Sequence, residues 1–316
     1  MGLKDLWVDF NIVASFNAAG FEHRRRHRFN EADLDVDLSG ERAVVTGANS
    51  GIGFATAEAL ARRGADVVMV CRSRERGVAA QQKLRAHAKG GVDLRLADMG
   101  ELHDVAELCT DLDGTVDILV HNAGALVDDR RRTSAGTEIT FASHVVGPHL
   151  MTHLLRRHLR RSRRGRVVQV ASGGMYLAKH NLNALLDDDD SKPFDGVAAY
   201  AQAKRAQVML NPLWGALLRN DDVVHACMHP GWSDTPGVQT ALPTFQERMQ
   251  GKLRTPEQGA DTVVWLACSP PSLDDTGRFW FDRAPARTHV VPFTKEKAGD
   301  AQRLWDRLEE MTSAFR

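Results

Sequence analysis

From residue 42 onward the chain alternates short, continuous apolar runs with stretches of helical spacing. The runs are 42–46 (RAVVT), 66–71 (DVVMVC), 116–120 (VDILV), 166–171 (RVVQVA) and 223–228 (VVHACM), with shorter ones at 94–97 and 278–281. Their apolar positions are consecutive and largely β-branched, not alternating, which marks strands covered on both faces, as parallel sheets require. Residues 54–63 show helical spacing, and Gly64 is a stop signal. Strand and helix in repeated alternation predict an α/β protein: a Rossmann-type, doubly wound parallel sheet with helices on both faces.

Two segments flank this body. Residues 1–40 form an extension with apolar residues at Leu3, Leu6, Trp7, Phe10, Val13 and Phe16, a helical stripe. The end of the chain, QRLWDRLEEMTSAF, predicts another helix. The expected organisation is a single domain: an N-terminal helical extension over 1–40, the Rossmann body over 41–285 and a C-terminal helical segment over 286–316. The acidic run 187–190, before Pro193, is expected in a surface loop.

Composition narrows the function classes. The formal net charge is zero, which gives no global attraction to nucleic acid, and no nucleic-acid partner is expected. The cysteines, Cys71, Cys109, Cys227 and Cys268, are scattered without a CxxC pair. They suit a reducing compartment and suggest neither a disulfide framework nor a zinc site. No run of eighteen apolar residues occurs, and the N-terminus lacks the layout of a signal peptide, so a cytoplasmic location is expected.

The strongest chemical signal is TGANSGIG at 46–53, between the first strand and the first helix of the body. Glycines allow a tight turn and close approach of backbone to a pyrophosphate, and a helix N-terminus favours negative charge. Gly47, Asn49, Ser50, Gly51, Ile52 and Gly53 are therefore candidate cofactor-binding residues. The second strand ends in Cys71-Arg72, where an NAD-selective site would carry a carboxylate. A guanidinium matches a 2′-phosphate, so NADP(H) is the expected cofactor. Asp98, followed by Met99, is placed to meet the adenine, with a helix-capping role as the alternative. Asn122, Ala123 and Gly124 close the fourth strand with small residues that let backbone approach the ligand.

With these residues in hand, the chain resembles the short-chain dehydrogenase/reductases over roughly 40–285. TGANSGIG, HNAG, Ser172, YAQAK (200–204) and Pro230-Gly231 occur in that family's order. A narrower likeness to one branch of the family rests on SGGM (172–175), PFDG (193–196), YAQAKRAQV (200–208), MHPGWSDTPGV (228–238) and EQGADTVVWLA (257–267). The resemblance implies hydride transfer between a nicotinamide and a carbonyl or alcohol substrate. It implies Tyr200 as proton donor, Ser172 as orienter of the substrate oxygen, and Lys204 near both the tyrosine and the cofactor ribose. It also implies that the Pro230-Gly231 backbone and Thr235 meet the nicotinamide carboxamide. Tyr200 and Lys204 are four apart, on one helix face, where an ammonium can lower a phenol's pKa. The family's asparagine in the helix after HNAG is replaced here by His144, which can also accept and donate hydrogen bonds.

Other signals carry less. His144, His149, His153 and His158 cluster, with His149 and His153 four apart; a metal site would need a third ligand, and none is expected. They are expected at the surface or in the substrate cleft. The basic run 156–166 is expected to be solvated surface at a helix C-terminus. The apolar stripe of the extension, followed by HRRRHR (23–28), is expected to pack on the body or on a second subunit, as in a homodimer, and it leaves peripheral membrane contact open. Trp232, Leu242 and Phe245 suggest an apolar substrate pocket. The expected function is an NADP(H)-dependent carbonyl/alcohol oxidoreductase, and the alternative is a nucleotide-binding regulatory or scaffold protein with little turnover.

Overall fold

The computed structural model describes residues 12–176, 179–186, 191, 193–235, 247 and 249–316. Leu3, Leu6, Trp7 and Phe10 of the apolar stripe, the acidic run 187–190, Leu242 and Phe245 lie outside those residues.

The body is one sheet in the order β3-β2-β1-β4-β5-β6-β7-β8. Its strands are β1 (Arg42–Thr46), β2 (Asp66–Cys71), β3 (Val92–Leu96), β4 (Ile118–His121), β5 (Arg166–Val170), β6 (Val224–Met228), β7 (Phe279–Phe281) and β8 (Ala284–Pro285). All pairings are parallel except β7 with β8. The helices are α1 (Ile12–Phe16), α2 (Ala18–Arg28), α3 (Gly51–Arg62), α4 (Arg74–Arg85), α5 (Leu102–Asp111), α6 (Gly147–Leu159), α7 (Gly196–Arg219), α8 (Pro256–Cys268) and α9 (Asp300–Thr312). A further short helix, Leu182–Leu186, precedes α7.

Strands of consecutive apolar residues are buried on both faces, and two cores result. Leu119, Leu150, Leu155, Met209 and Trp214 belong to the core beneath α6 and α7. Leu60, Ile118, Val263, Leu266 and Trp280 belong to the opposite core, where α3 packs beside α8. The chain order reverses between β1 and β4, and the crevice at the carboxyl ends of such strands is where ligands bind.

β4 begins at Ile118 and not at Val116; just before it, the Asp117 side chain accepts the Arg42 backbone N–H at 2.8 Å. The short β8 has no apolar pattern of its own. It forms through a tight hairpin in which Asp282 and Arg283 both take positive φ (49° and 58°). Asp tolerates that backbone better than Arg does, and side-chain pairs hold both in place. Arg254 grips the Asp282 carboxylate at 2.6 and 2.8 Å, Arg24 adds a contact at 3.2 Å, and Arg283 pairs with Asp261 at 2.6 Å.

The described part of the extension packs on the body. Phe16 sits among Tyr176, His229, Trp232 and Phe281, with ring centroids 4.7–5.8 Å apart. Asn17 caps α2 by accepting from Gly20, and Arg24 is buried against Ser15 and Asp282. At the other end, α9 inserts Leu304 and Leu308 into the core beside α7.

Two expectations about charged and polar side chains need correction. His149 and His158 are not surface groups: they lie on the buried face of α6, where His158 bonds the Gly114 carbonyl at 2.6 Å and His149 meets Glu309. His144 is fully enclosed. The basic run is largely surface, but Arg166 begins β5 and is buried, donating to the Ala267 carbonyl at 2.7 Å and pairing with Glu41.

Candidate active site

The glycine turn after β1 is locked to the turn after β4. Thr46 Oγ1 accepts the backbone N–H groups of Asn122 and Ala123, each at 3.0 Å, and the Asn122 side chain donates to the Thr46 carbonyl at 3.0 Å. Gly47 takes positive φ (67°), and a Cβ there would lie 2.9 Å from the Ala123 Cα. On Gly53 a Cβ would lie 2.3 Å from Asn122 Nδ2. These glycines bring two loops together as well as admitting a ligand. Thr46 and the Asn122 side chain carry this latch. The sequence placed Thr46 at a strand end, and only the pairing of β1 with β4 shows what its hydroxyl holds.

Helix α3 starts immediately beyond, at Gly51, with Ser50 exposed at its cap and making no side-chain hydrogen bond to the helix. Its free first-turn N–H groups face the crevice end of the sheet, which fits a pyrophosphate. Ile52 packs over Gly259 of α8. Backbone N–H groups of Ala48 and Asn49 point at the Cys71 thiol beneath them, whose pKa burial pushes up to about 11. Arg72 follows β2 beside this turn, 60% exposed, with its guanidinium 3.9 Å from the Asp98 carboxylate. Asp98 also accepts the Gly100 N–H at 2.9 Å, while Met99 is buried in the core.

The three catalytic candidates converge at the carboxyl end of β5. Ser172 follows that strand, and its Oγ accepts the Gly174 N–H at 3.2 Å. Asp195 caps α7 by accepting from Ala198, which fixes the helix that carries Tyr200 and Lys204. The Tyr200 phenol is within hydrogen-bonding reach of Ser172. Burial holds its pKa above the ordinary value, and the Ser172 hydrogen bond pulls the other way. Lys204 Nζ donates to the Val170 carbonyl at 2.8 Å and lies 5.6 Å from the Tyr200 ring centroid. Burial brings the Lys204 pKa down to about 8.

His144 lies edge-on to Tyr200, centroids 5.3 Å apart at 82°. Both its ring nitrogens are buried without a protein partner, and burial, then the nearby Lys204, holds its pKa well below the usual histidine range. It sits on a π-helical turn, Ala142–Val146, leading into α6. An α-helical bond to its carbonyl would come from residue 148, which is Pro148 and has no N–H. Gln207 of α7 supplies the missing donor, its Nε2 2.7 Å from the His144 carbonyl. Gln207 stood inside the YAQAKRAQV motif with no role assigned; the proline four residues after His144 was the available clue.

Pro230 and Gly231 lie in the loop that follows β6. Arg254 donates to the Pro230 carbonyl at 3.2 Å and to the Phe16 carbonyl at 3.0 Å, tying this loop to the extension. Trp232 packs edge-on to Phe16, and Thr235 follows at the end of the described loop.

A doubly wound sheet with a glycine turn at its switch point and a Ser-Tyr-Lys group across the crevice defines a nicotinamide-type oxidoreductase fold and site. The short chain dehydrogenase family profile matches residues 41–182. Dehydrogenase/reductase SDR family member 12 of Bos taurus is 37% identical over 312 residues, 96% of each chain. Human retinol dehydrogenase 13 is 30% identical over 284 residues, 85% of this chain and 83% of that one. The crystal structure of an uncharacterised protein from Mycobacterium paratuberculosis superposes with TM-score 0.70 at 26% identity, covering 89% of this chain and 97% of the other. The chain belongs to the short-chain dehydrogenase/reductase family.

Proposed function

We propose that the chain is an NADP(H)-dependent oxidoreductase that interconverts a carbonyl and an alcohol on a lipophilic small molecule. The observation that carries this is the meeting of Ser172, Tyr200 and Lys204 at the carboxyl end of β5, across the crevice from the glycine turn. When bound, the nicotinamide supplies hydride to the substrate carbon or takes it back.

The remaining work belongs to the protein. Burial keeps the Tyr200 phenol protonated, the form that can give its proton to a carbonyl oxygen as charge develops there. Ser172, oriented by the Gly174 N–H, directs its hydroxyl at the same oxygen and stabilises that charge. The Lys204 ammonium, released from the Val170 carbonyl, favours the phenolate left behind and reaches the cofactor ribose.

Arg72 supports NADP(H) over NAD(H): it is exposed at the end of β2, where a 2′-phosphate would be held, and Asp98 lies close enough to orient it. The apolar surroundings of Trp232, and a relative whose name refers to retinol, support a lipophilic substrate. The test is NADPH oxidation by the purified protein across a panel of aldehydes, ketones and quinones, chain length and apolarity varied. Turnover that grows with substrate apolarity supports the proposal; NADPH binding without turnover on any carbonyl points to the regulatory alternative.

A further inference from the structure

Helix α6 carries His149 and His153 four residues apart, and the sequence offers no third ligand near them. The fold supplies one. Glu309 of α9 brings Oε1 to 2.8 Å from Nε2 of both rings. The three donor atoms lie within 4.8 Å of one another, and this is the grouping among the described residues able to hold a metal ion. Arg316 engages the other carboxylate oxygen, Oε2, at 2.6 Å and so leaves Oε1 to the two histidines.

Trp214 and Trp305 wall the pair, their rings 4.7–6.0 Å from the imidazoles, which excludes water from one side. The Nδ1 of His149 is buried without a protein partner. His149 also lines an internal cavity of about 10 Å³, shared with Thr152 and Gln207, with room for about one water. A metal-bound imidazole usually hands its second ring proton to such a partner. On the other side, His153 opens onto a cleft of about 480 Å³ lined by Arg156, Arg157 and Arg316, which leaves a coordination position facing solvent.

We propose that His149, His153 and Glu309 bind a divalent zinc-class cation, which ties α9 to α6 and keeps a fourth position open to water or a small anion. Two imidazoles and a carboxylate suit Zn²⁺ and Co²⁺ and are a poor set for Mg²⁺ or Ca²⁺, which prefer all-oxygen shells. The site is remote in sequence from Ser172 and Tyr200 and stands whether or not the oxidoreductase proposal does.

The full-length protein, stripped with a chelator and dialysed, is titrated with Co²⁺ and read by its visible d–d absorption; Zn²⁺ is then added and the Tm measured. One equivalent of Co²⁺ should bind, Zn²⁺ should displace it, and Tm should rise. His153→Asn and Glu309→Gln should each weaken Co²⁺ binding at least about tenfold while NADPH binding and the far-ultraviolet circular dichroism stay unchanged. If Glu309→Gln disturbs the docking of α9, His153→Asn, whose ring is partly exposed, decides. No saturable Co²⁺ binding by the wild type, which would leave a purely hydrogen-bonded triad, overturns the proposal. So does equal binding by wild type and His153→Asn.

Discussion

The His144 ring stands where a side chain on Gly124 would begin: a Cβ there would lie 2.2 Å from Nε2. The glycine of the HNAG turn therefore makes room for the histidine that replaces the family's asparagine, and Tyr200 closes the ring in from another side. Gly124→Ala should cost about 1–3 kcal/mol, the range for overpacking a filled interior. His144→Ala in the same chain should recover much of that loss. Urea denaturation of both single variants and the double variant checks this; purely additive losses would mean that the two positions do not compete for space.

Arg254 is the knot between the extension, the loop after β6 and the β7–β8 hairpin. It donates to the Ser15, Phe16 and Pro230 carbonyls and to both Asp282 oxygens. Removing one partner of a buried ion pair costs up to about 3–5 kcal/mol, and Arg24, 3.2 Å from Asp282, keeps part of that charge compensated. Arg254→Ala should lower stability by up to that amount and expose residues 12–28 to limited proteolysis. Unchanged cleavage at the extension would contradict its docking role.

Burial pushes His121, His149 and His225 each down to about 3. These rings are neutral in the fold and take up a proton on unfolding, whose reference pKa is about 6.5. Their contribution to stability is thus fully present above pH 6.5 and erodes as pH falls from 6.5 towards 3. Three such groups give a slope of up to about 4 kcal/mol per pH unit. The urea midpoint of the metal-free protein should drop steeply between pH 7 and 5.5, and a flat profile there would count against neutral buried imidazoles.

Arg72 should set cofactor choice. NADP(H) should bind at least about tenfold better than NAD(H), a difference of about 1.4 kcal/mol. Arg72→Asp should reverse the order, since a carboxylate accepts from ribose hydroxyls and repels a 2′-phosphate. Fluorescence titration with both reduced cofactors reads this directly; equal affinities in the wild type would remove Arg72 from the site.

The sheet was legible because parallel strands write themselves as unbroken apolar runs: 42–46 and 66–71 match β1 and β2 residue for residue. The glycine turn and the Tyr200–Lys204 pair were legible because each lies within one short segment. What stayed hidden depends on partners far along the chain. β8 is two residues held by Arg24 and Arg254, Gln207 answers a carbonyl left bare by Pro148, and Glu309 meets His153 across 156 residues. Local periodicity carries no record of such meetings. The histidines of α6 misled because a polar residue on a buried helix face looks like surface until its acceptor is known.

The central claim is that the Tyr200 phenol gives the proton during carbonyl reduction. Tyr200→Phe removes one oxygen and keeps the ring that faces His144 and Lys204. Single-turnover NADPH oxidation on the best carbonyl of the panel, with NADPH affinity measured in parallel, tests it most directly. The rate should fall by about 10²–10⁴-fold, the usual worth of a positioned general acid, with NADPH affinity nearly unchanged. A Tyr200→Phe protein that oxidises NADPH at the wild-type rate would contradict the claim.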